Sequence, residues 1–351
     1  GQSSLHGAFL WRQINKVVEL KKNWCALGDL SFINLLQCIR LSCAWNDTTI
    51  MTDSQSGVGT NYSESDFDVF NKQCLQYLSV HHPQDLGNFK DAPIIVCKKV
   101  LCDAINYKKV QSFARSTNQD FLVYHSKDVM KKKPLSEDVQ QFIWDHIGAS
   151  ITHDSLGKIP LILGMRVMVT ENVATFCNVV NGAEGILQDI KFSVDEQNCR
   201  YTECAYVKIE GANLQSPSLP IDVVPILPSP TRFTYSPKIT AEEHASHTSA
   251  KSCNIVRTQL PLLPAYAYTN YKVQGRSLKK VILDLAGCRF LQNVYVMLSH
   301  ATSLAGVAIL RTFKSVRTNQ HIGQEFREEF NCLQVLDEET KTLYLAQYAS
   351  L

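Results

Sequence analysis

Three side chains in one short loop carry hydrogen-bond donors that could meet a ligand. Thr269, Lys272 and Gln274 stand within the run Ala265 to Leu278 and offer a hydroxyl, an ammonium and an amide. Tyr271, between them, carries a ring that is either stacked on a ligand or buried. The run begins apolar, turns polar and ends on Gln274-Gly275, the pattern of a strand feeding a loop. In α/β sheets, ligands meet strands at such carboxyl ends. A second piece, Tyr295 to Leu304, sets Tyr295, Leu298 and Thr302 on one helical face, with Ser299 and His300 beside it. The strand-like run Val281 to Leu285 separates the two.

The elements that must position these residues read as alternating strands and helices. Ala92 to Val96 is a short apolar strand and Val100 to Phe113 the helix after it, the unit of a parallel α/β sheet. Asn106 on that helix is either a surface residue or part of a site. Upstream, Leu5 to Leu20 reads as a helical segment feeding a strand at Lys16 to Leu20. A helix follows Asp29, a good N-cap, with Phe32, Leu35, Leu36 and Ile39 at helical spacing. Trp45 to Ser65 reads as a polar loop, and Asp66 to Val80 as a helix with Phe67, Phe70, Cys74 and Leu78 on one face. Phe121 to His125 is a strand, Lys131 to Lys133 a solvated loop, and Pro134 to Ile147 contains a helix.

From Ile159 the pattern becomes β-rich. Leu161 to Thr170, Asn178 to Ile190 around an Asn181-Gly182 turn, Ala205 to Ile209 and Ile221 to Ile226 are short strands with turn signals, as in a small barrel. Ser229 to Cys253 is polar and reads as an exposed connector; its His244 and His247 lack partners at metal-ligand spacing. Gly306 to Arg311 is a last strand, and two helices, Glu325 to Leu336 and Glu338 to Tyr348, close the chain.

Composition bounds the function classes. The 351 residues are 45% hydrophobic and 19% charged, with a net charge of +2: an ordinary globular composition, long enough for two domains. Near-neutrality means that any basic groove is local. The 12 cysteines form no Cys-x-x-Cys pair, and Cys38/Cys43 and Cys199/Cys204 lack histidines at zinc spacing. Reduced thiols in an intracellular protein are expected, with no metal site and no membrane partner. The chain opens without a secretory signal and without an initiator Met, as a fragment would.

Three ordered blocks resemble DNA helicases of the petite-integration-frequency family, relatives of bacterial RecD. That family's pattern Ala-x-Thr-x-His-Lys-x-Gln-Gly is matched by Ala267, Thr269, Lys272, Gln274 and Gly275, with Tyr271 where His is usual. Its Tyr-Val-x-Leu-Ser-Arg is matched by Tyr295, Val296, Leu298 and Ser299, with His300 in place of Arg. Its Gly-Met-Arg-Val-Met…Val-Asn-Gly-x-x-Gly is matched from Gly164 to Met168 and from Val180 to Gly185. Asn106 also matches. The resemblance implies an α/β fold: a RecA-like parallel-sheet domain with an inserted small SH3-like β-barrel. It divides the chain into 1–25 as the tail of a first motor domain, 26–158 and 259–351 as the second RecA-like domain, 159–228 as the barrel, and 229–258 as the connector.

The same resemblance assigns roles. Thr269, Tyr271, Lys272, Asn181 and Gly182 line a track for single-stranded DNA; Gln274, Gly275 and Ser299 stand at the nucleotide. Two arginines of the family face ATP, and their positions are occupied here by Cys25 and His300. A thiol carries no positive charge, and an imidazole lacks the forked geometry of a guanidinium. No Gly-x-x-x-x-Gly-Lys-Ser/Thr phosphate loop occurs in the sequence, and no Asp-Glu pair ends an apolar strand before Cys25. The expectation is therefore the C-terminal half of an ATP-dependent DNA helicase with 5′–3′ polarity. The complete family enzyme uses ATP and Mg; this chain alone binds neither stably and does not hydrolyse ATP. Its partners would be single-stranded DNA and a missing N-terminal motor domain, in the nucleus or a mitochondrion. The alternative is a catalytically silent module that binds single-stranded nucleic acid or acts as a scaffold.

Overall fold

A computed structural model describes residues 2–20, 23–40, 65–214, 219–235, 252–318, 320 and 323–348. Cys43, His244, His247 and nearly all of the polar stretch from Trp45 to Ser65 lie outside the described residues. Contacts divide the chain into two compact units, Gly1–Lys90 with Gly275–Leu351, and Asp91–Gln274.

The first unit opens with helices α1 (Gln2–Trp11), α2 (Leu30–Arg40), α3 (Asp66–Lys72), α4 (Leu75–His81) and the single turn α5 (Pro83–Leu86). Asp29 caps α2 as expected: its Oδ1 accepts from the Phe32 N–H at 2.9 Å. The single helix expected from Asp66 to Val80 is broken at Cys74, which takes an extended conformation and bridges in parallel to Ile309. Phe70, Cys74 and Leu78 are still buried, so the apolar stripe survives the break. No strand forms at 16–20. There the N–H groups of Val17 and Glu19 donate to Thr340 Oγ1 (3.1 Å) and Asp337 Oδ1 (2.8 Å), so helix side chains satisfy the backbone instead of a ladder.

The second unit carries thirteen short strands in chain order: β1 (Ile94–Val96), β2 (Val123–His125), β3 (Lys127–Met130), β4 (Lys133–Pro134), β5 (Lys158–Pro160), β6 (Arg166–Val169), β7 (Glu184–Val194), β8 (Arg200–Lys208), β9 (Val223–Ile226), β10 (Ser229–Tyr235), β11 (Cys253–Gln259), β12 (Leu262–Pro264) and β13 (Ala267–Thr269). Helix α6 (Lys99–Ser116) follows β1, and α7 (Glu137–His146) follows β4. β1 is buried on both faces and pairs in parallel with β13, as a strand covered by helices does. Asn106, left open by the sequence, is buried. Its Oδ1 accepts from the N–H groups of Tyr266 (3.1 Å) and Ala267 (2.8 Å), and its Nδ2 donates to the Ala267 carbonyl (3.0 Å). One amide thus fastens α6 along β13.

The β-rich segment builds a sheet in the order β12-β6-β7-β8-β2-β5, with β9 on β8. Among the described residues its end strands, β12 and β5, do not pair with each other. Its core gathers Val167, Val169, Leu187, Val207 and Ile226. The β7–β8 ladder approaches so closely at Gly185 that a Cβ there would meet Val207 Cγ1 at 2.6 Å. A second sheet runs β10-β11-β3-β4, and it corrects the reading of Ser229 to Cys253 as a connector. Ser229–Tyr235 and Cys253–Gln259 pair over their full lengths. Phe233 and Ile255 pack on Ile143 of α7. Beside them Arg257 is fully buried. Its Nε and Nη2 donate to Asp128 of β3 at 2.9 and 2.7 Å, and its Nη1 donates to the Ser155 carbonyl at 3.1 Å. In β11 a fully buried arginine stands beside buried Ile255, and that arginine does not look apolar in sequence.

The chain then returns to the first unit through β14 (Val281–Leu283) and β15 (Val307–Ile309), a parallel pair, with α8 (Leu291–Ser299) between them. The two closing helices are one, α9 (Gln324–Tyr348), since nothing at Leu336-Asp337-Glu338 breaks it.

Candidate functional site

The loop after β13 is a single 3₁₀ turn, Asn270–Val273, with Asn270 and Val273 buried beneath it. Burial of those two turns Tyr271 outward, where it is 72% exposed; the sequence left it either stacked or buried. Lys272 points toward the Asn181-Gly182 turn. Its Nζ donates to Asn181 Oδ1 at 3.3 Å and to Asp154 Oδ2 at 3.0 Å. That turn is fixed by its backbone: the Asn181 N–H donates to Asn172 Oδ1, and Gly182, at φ +92°, donates to the Val169 carbonyl. Residues distant in the chain, Lys272 and Asn181, are therefore in direct contact, with Thr269 at the strand end and Gly182 alongside.

Two residues of this cluster were not legible in the sequence. Lys99, the first residue of α6, donates to Asp154 Oδ1 at 2.9 Å and to Asp103 Oδ1 at 3.1 Å. Asp154 thus receives one lysine on each carboxylate oxygen. Burial pushes its carboxyl up, but Lys99 and Lys272 outweigh that and hold it below the usual range. Burial pushes the Lys99 ammonium down, and Asp103 and Asp154 outweigh it in turn. His153 and Asp154 both take left-handed conformations, φ +50° and +69°, which His and Asp tolerate better than most residues. That backbone signal is weak in sequence, and the lysines come from distant segments.

Of the positions that the resemblance assigns to a nucleotide, Gln274 ends this unit, while Cys25, Gly275, Ser299 and His300 lie in the other. Cys25 is exposed, in a turn where its N–H donates to Asn23 Oδ1 at 3.1 Å. His300 is 5% exposed, with Nδ1 3.4 Å from the Arg276 carbonyl, and its own carbonyl accepts from Leu278 N–H at 2.7 Å. Ser299 turns back on its helix, donating to the Val296 carbonyl at 2.8 Å. Gln274 and Gly275 are exposed, Gly275 at φ +80°. The segments after Cys25 and His300 do meet: Asp29 Oδ2 accepts from the Leu304 N–H at 3.0 Å. In the same unit, Arg289 is exposed and Arg276 half-buried. A third, Arg311, is engaged by both oxygens of buried Asp284 at 2.8 and 3.0 Å.

No family model matches the chain. Comparison of the whole structure with solved ones does find relatives. Pif1 helicase from Candida albicans superposes with a TM-score of 0.56 at 18% identity, over 90% of this chain and 60% of that one. The fold is that of the Pif1 helicases. A Bacteroides Pif1 helicase in complex with ADP-AlF3 and single-stranded DNA gives 0.54 at 19% identity, and Bacteroides Pif1 bound to single-stranded DNA gives 0.53 at 18%. Each again covers 90% of this chain and 56% of the other. A curated relative, the ATP-dependent DNA helicase PIF1 of Emericella nidulans, is 44% identical over 55 residues, 16% of this chain and 7% of that protein. The chain thus spans less than two thirds of the length of the Pif1 proteins it matches. No helix among the described residues is long and apolar enough to cross a membrane.

Proposed function

We propose that this chain is part of an ATP-dependent DNA helicase of the Pif1 kind, and that its own contribution is to hold single-stranded DNA. The observation that carries this reading is the contact of Lys272 with Asn181, in a fold shared with a Pif1 solved on single-stranded DNA. Thr269, Lys272 and Asn181 present a hydroxyl, an ammonium and an amide toward backbone phosphates. Exposed Tyr271 presents a ring face to a base, and Gly182 allows close approach of the strand. On this reading 26–158 and 259–351 form the second RecA-like domain, and the seven-stranded sheet contains the SH3-like barrel. ATP and Mg would be gripped together with a first motor domain, and unwinding would run 5′ to 3′. Because Cys25 and His300 stand where the family has arginines, the chain alone does not turn over ATP. Its compartment would be the nucleus or a mitochondrion.

Fluorescence anisotropy with a labelled oligo-dT tests the reading. Binding is expected at low salt and should weaken about tenfold between 50 and 200 mM, the behaviour of two or three phosphate contacts. Lys272→Ala should weaken it about fivefold. Affinity unchanged by Lys272→Ala would sink the proposed track.

A further inference from the structure

The carboxylate of Asp154 bridges two lysines from different segments, Lys99 on one oxygen at 2.9 Å and Lys272 on the other at 3.0 Å. All three side chains remain partly open to solvent, 21%, 27% and 18% for Lys99, Lys272 and Asp154. A phosphodiester carries the same arrangement: two non-bridging oxygens sharing a single negative charge. We propose that Asp154 is an internal stand-in for a backbone phosphate, and that Lys99 and Lys272 together form the seat that a phosphate of single-stranded DNA takes when Asp154 turns away. The proposal rests on the reading that this unit binds single-stranded DNA. It adds Lys99 as a DNA contact and Asp154 as the residue that limits affinity.

The local charge supports it. Lys99 and Lys272 are matched by Asp103 and Asp154, so the closed patch is neutral and offers a strand little long-range attraction. Exchange of a carboxylate for a phosphate leaves both ammonium groups paired throughout, so neither lysine passes through an uncompensated state. Asn181, neutral and already bonded to Lys272, keeps that side chain aimed at the seat during the exchange.

The test measures oligo-dT affinity across a salt series for the unmodified chain, Asp154→Asn, Lys99→Ala, Lys272→Ala and the double variant Asp154→Asn/Lys99→Ala. Asp154→Asn should bind roughly three- to tenfold more tightly at low salt, since a competing charge is gone. Its dependence on salt should steepen by about 0.7 to 1.4, the increment of one or two phosphate contacts. The double variant should lose most of that gain. Lys99→Ala alone keeps the 149–155 turn intact and should bind more weakly than the unmodified chain, so the proposal stays testable even where Asp154→Asn folds poorly. Equal or weaker binding by a folded Asp154→Asn, or no effect of Lys99→Ala, overturns the proposal. If Lys272→Ala also changes nothing, it is the DNA-binding reading beneath that fails instead.

Discussion

In the unit spanning Asp91–Gln274, the cations of the candidate site are held ready: Lys99 and Lys272 share Asp154, and Lys272 also reaches Asn181. In the other unit, two positions that the family resemblance assigns to a nucleotide carry an exposed thiol and a buried imidazole, and the nearby Ser299 hydroxyl donates to its own helix. Phosphate recognition by a few point charges tolerates substitution around it. Stabilising a phosphoryl-transfer transition state demands guanidiniums at set positions, and no neighbour replaces them. On the proposed reading, the first region holds a strand and the second lacks the arginines for driving along it.

The largest expected effect breaks that contrast directly. Fused to an intact first motor domain, the unmodified chain should show little DNA-stimulated phosphate release. The Cys25→Arg/His300→Arg fusion should release phosphate about 10³- to 10⁵-fold faster. Rapid release from the unmodified fusion would erase the difference between the two regions.

The next effect compares one charge pair from each unit. Removing Asp128 leaves Arg257 buried without a counterion, and Asp128→Ala should cost about 3–5 kcal/mol of stability in urea unfolding. In the pair Asp284–Arg311 the arginine is 56% exposed and the carboxylate 1%, so Arg311→Ala leaves a buried anion that water can reach through the space vacated, and should cost less, about 1–3 kcal/mol. Equal losses would mean that the second unit's pair is not the buried anchor its geometry describes.

A smaller change sharpens the link from helix to site. Asn106→Ala strips hydrogen bonds from the backbone of Tyr266 and Ala267 and should cost about 1–3 kcal/mol. Hydrogen exchange at Ala267 should accelerate in that variant, while exchange on β14 stays as it was. Unchanged exchange at Ala267 would remove Asn106 from the support of the loop.

Much of the scaffold was legible because it obeys simple periods. Asp29 and the spacing of Phe32, Leu36 and Ile39 announce a capped helix, and Ile94 to Val96 followed by α6 announces a parallel strand and its helix. The hidden parts are those in which a polar residue does the work of an apolar one. Arg257 replaces a core side chain in β11, so its strand read as a connector. Lys99 and Asp154 meet only through tertiary structure, and no local pattern relates them. Burial of His300 was equally opaque, since its contacts with the backbone of Arg276 and Leu278 join segments more than twenty residues apart and leave no periodic signal.

One further bond from Arg257 bears on tempo. Its Nη1 holds the Ser155 carbonyl, and Thr152 Oγ1 closes the same turn on that carbonyl at 2.6 Å. The main chain next to Asp154 is thus anchored, and rotation about its own side-chain bonds is the short route by which the carboxylate would leave its lysines. Such rotations take picoseconds to nanoseconds where side chains are open to solvent, far faster than the microsecond-to-millisecond motions of loops and domains. A phosphate arriving at Lys99 and Lys272 would wait for a rotamer and not for a hinge, so the exchange adds no slow step to the passage of a strand.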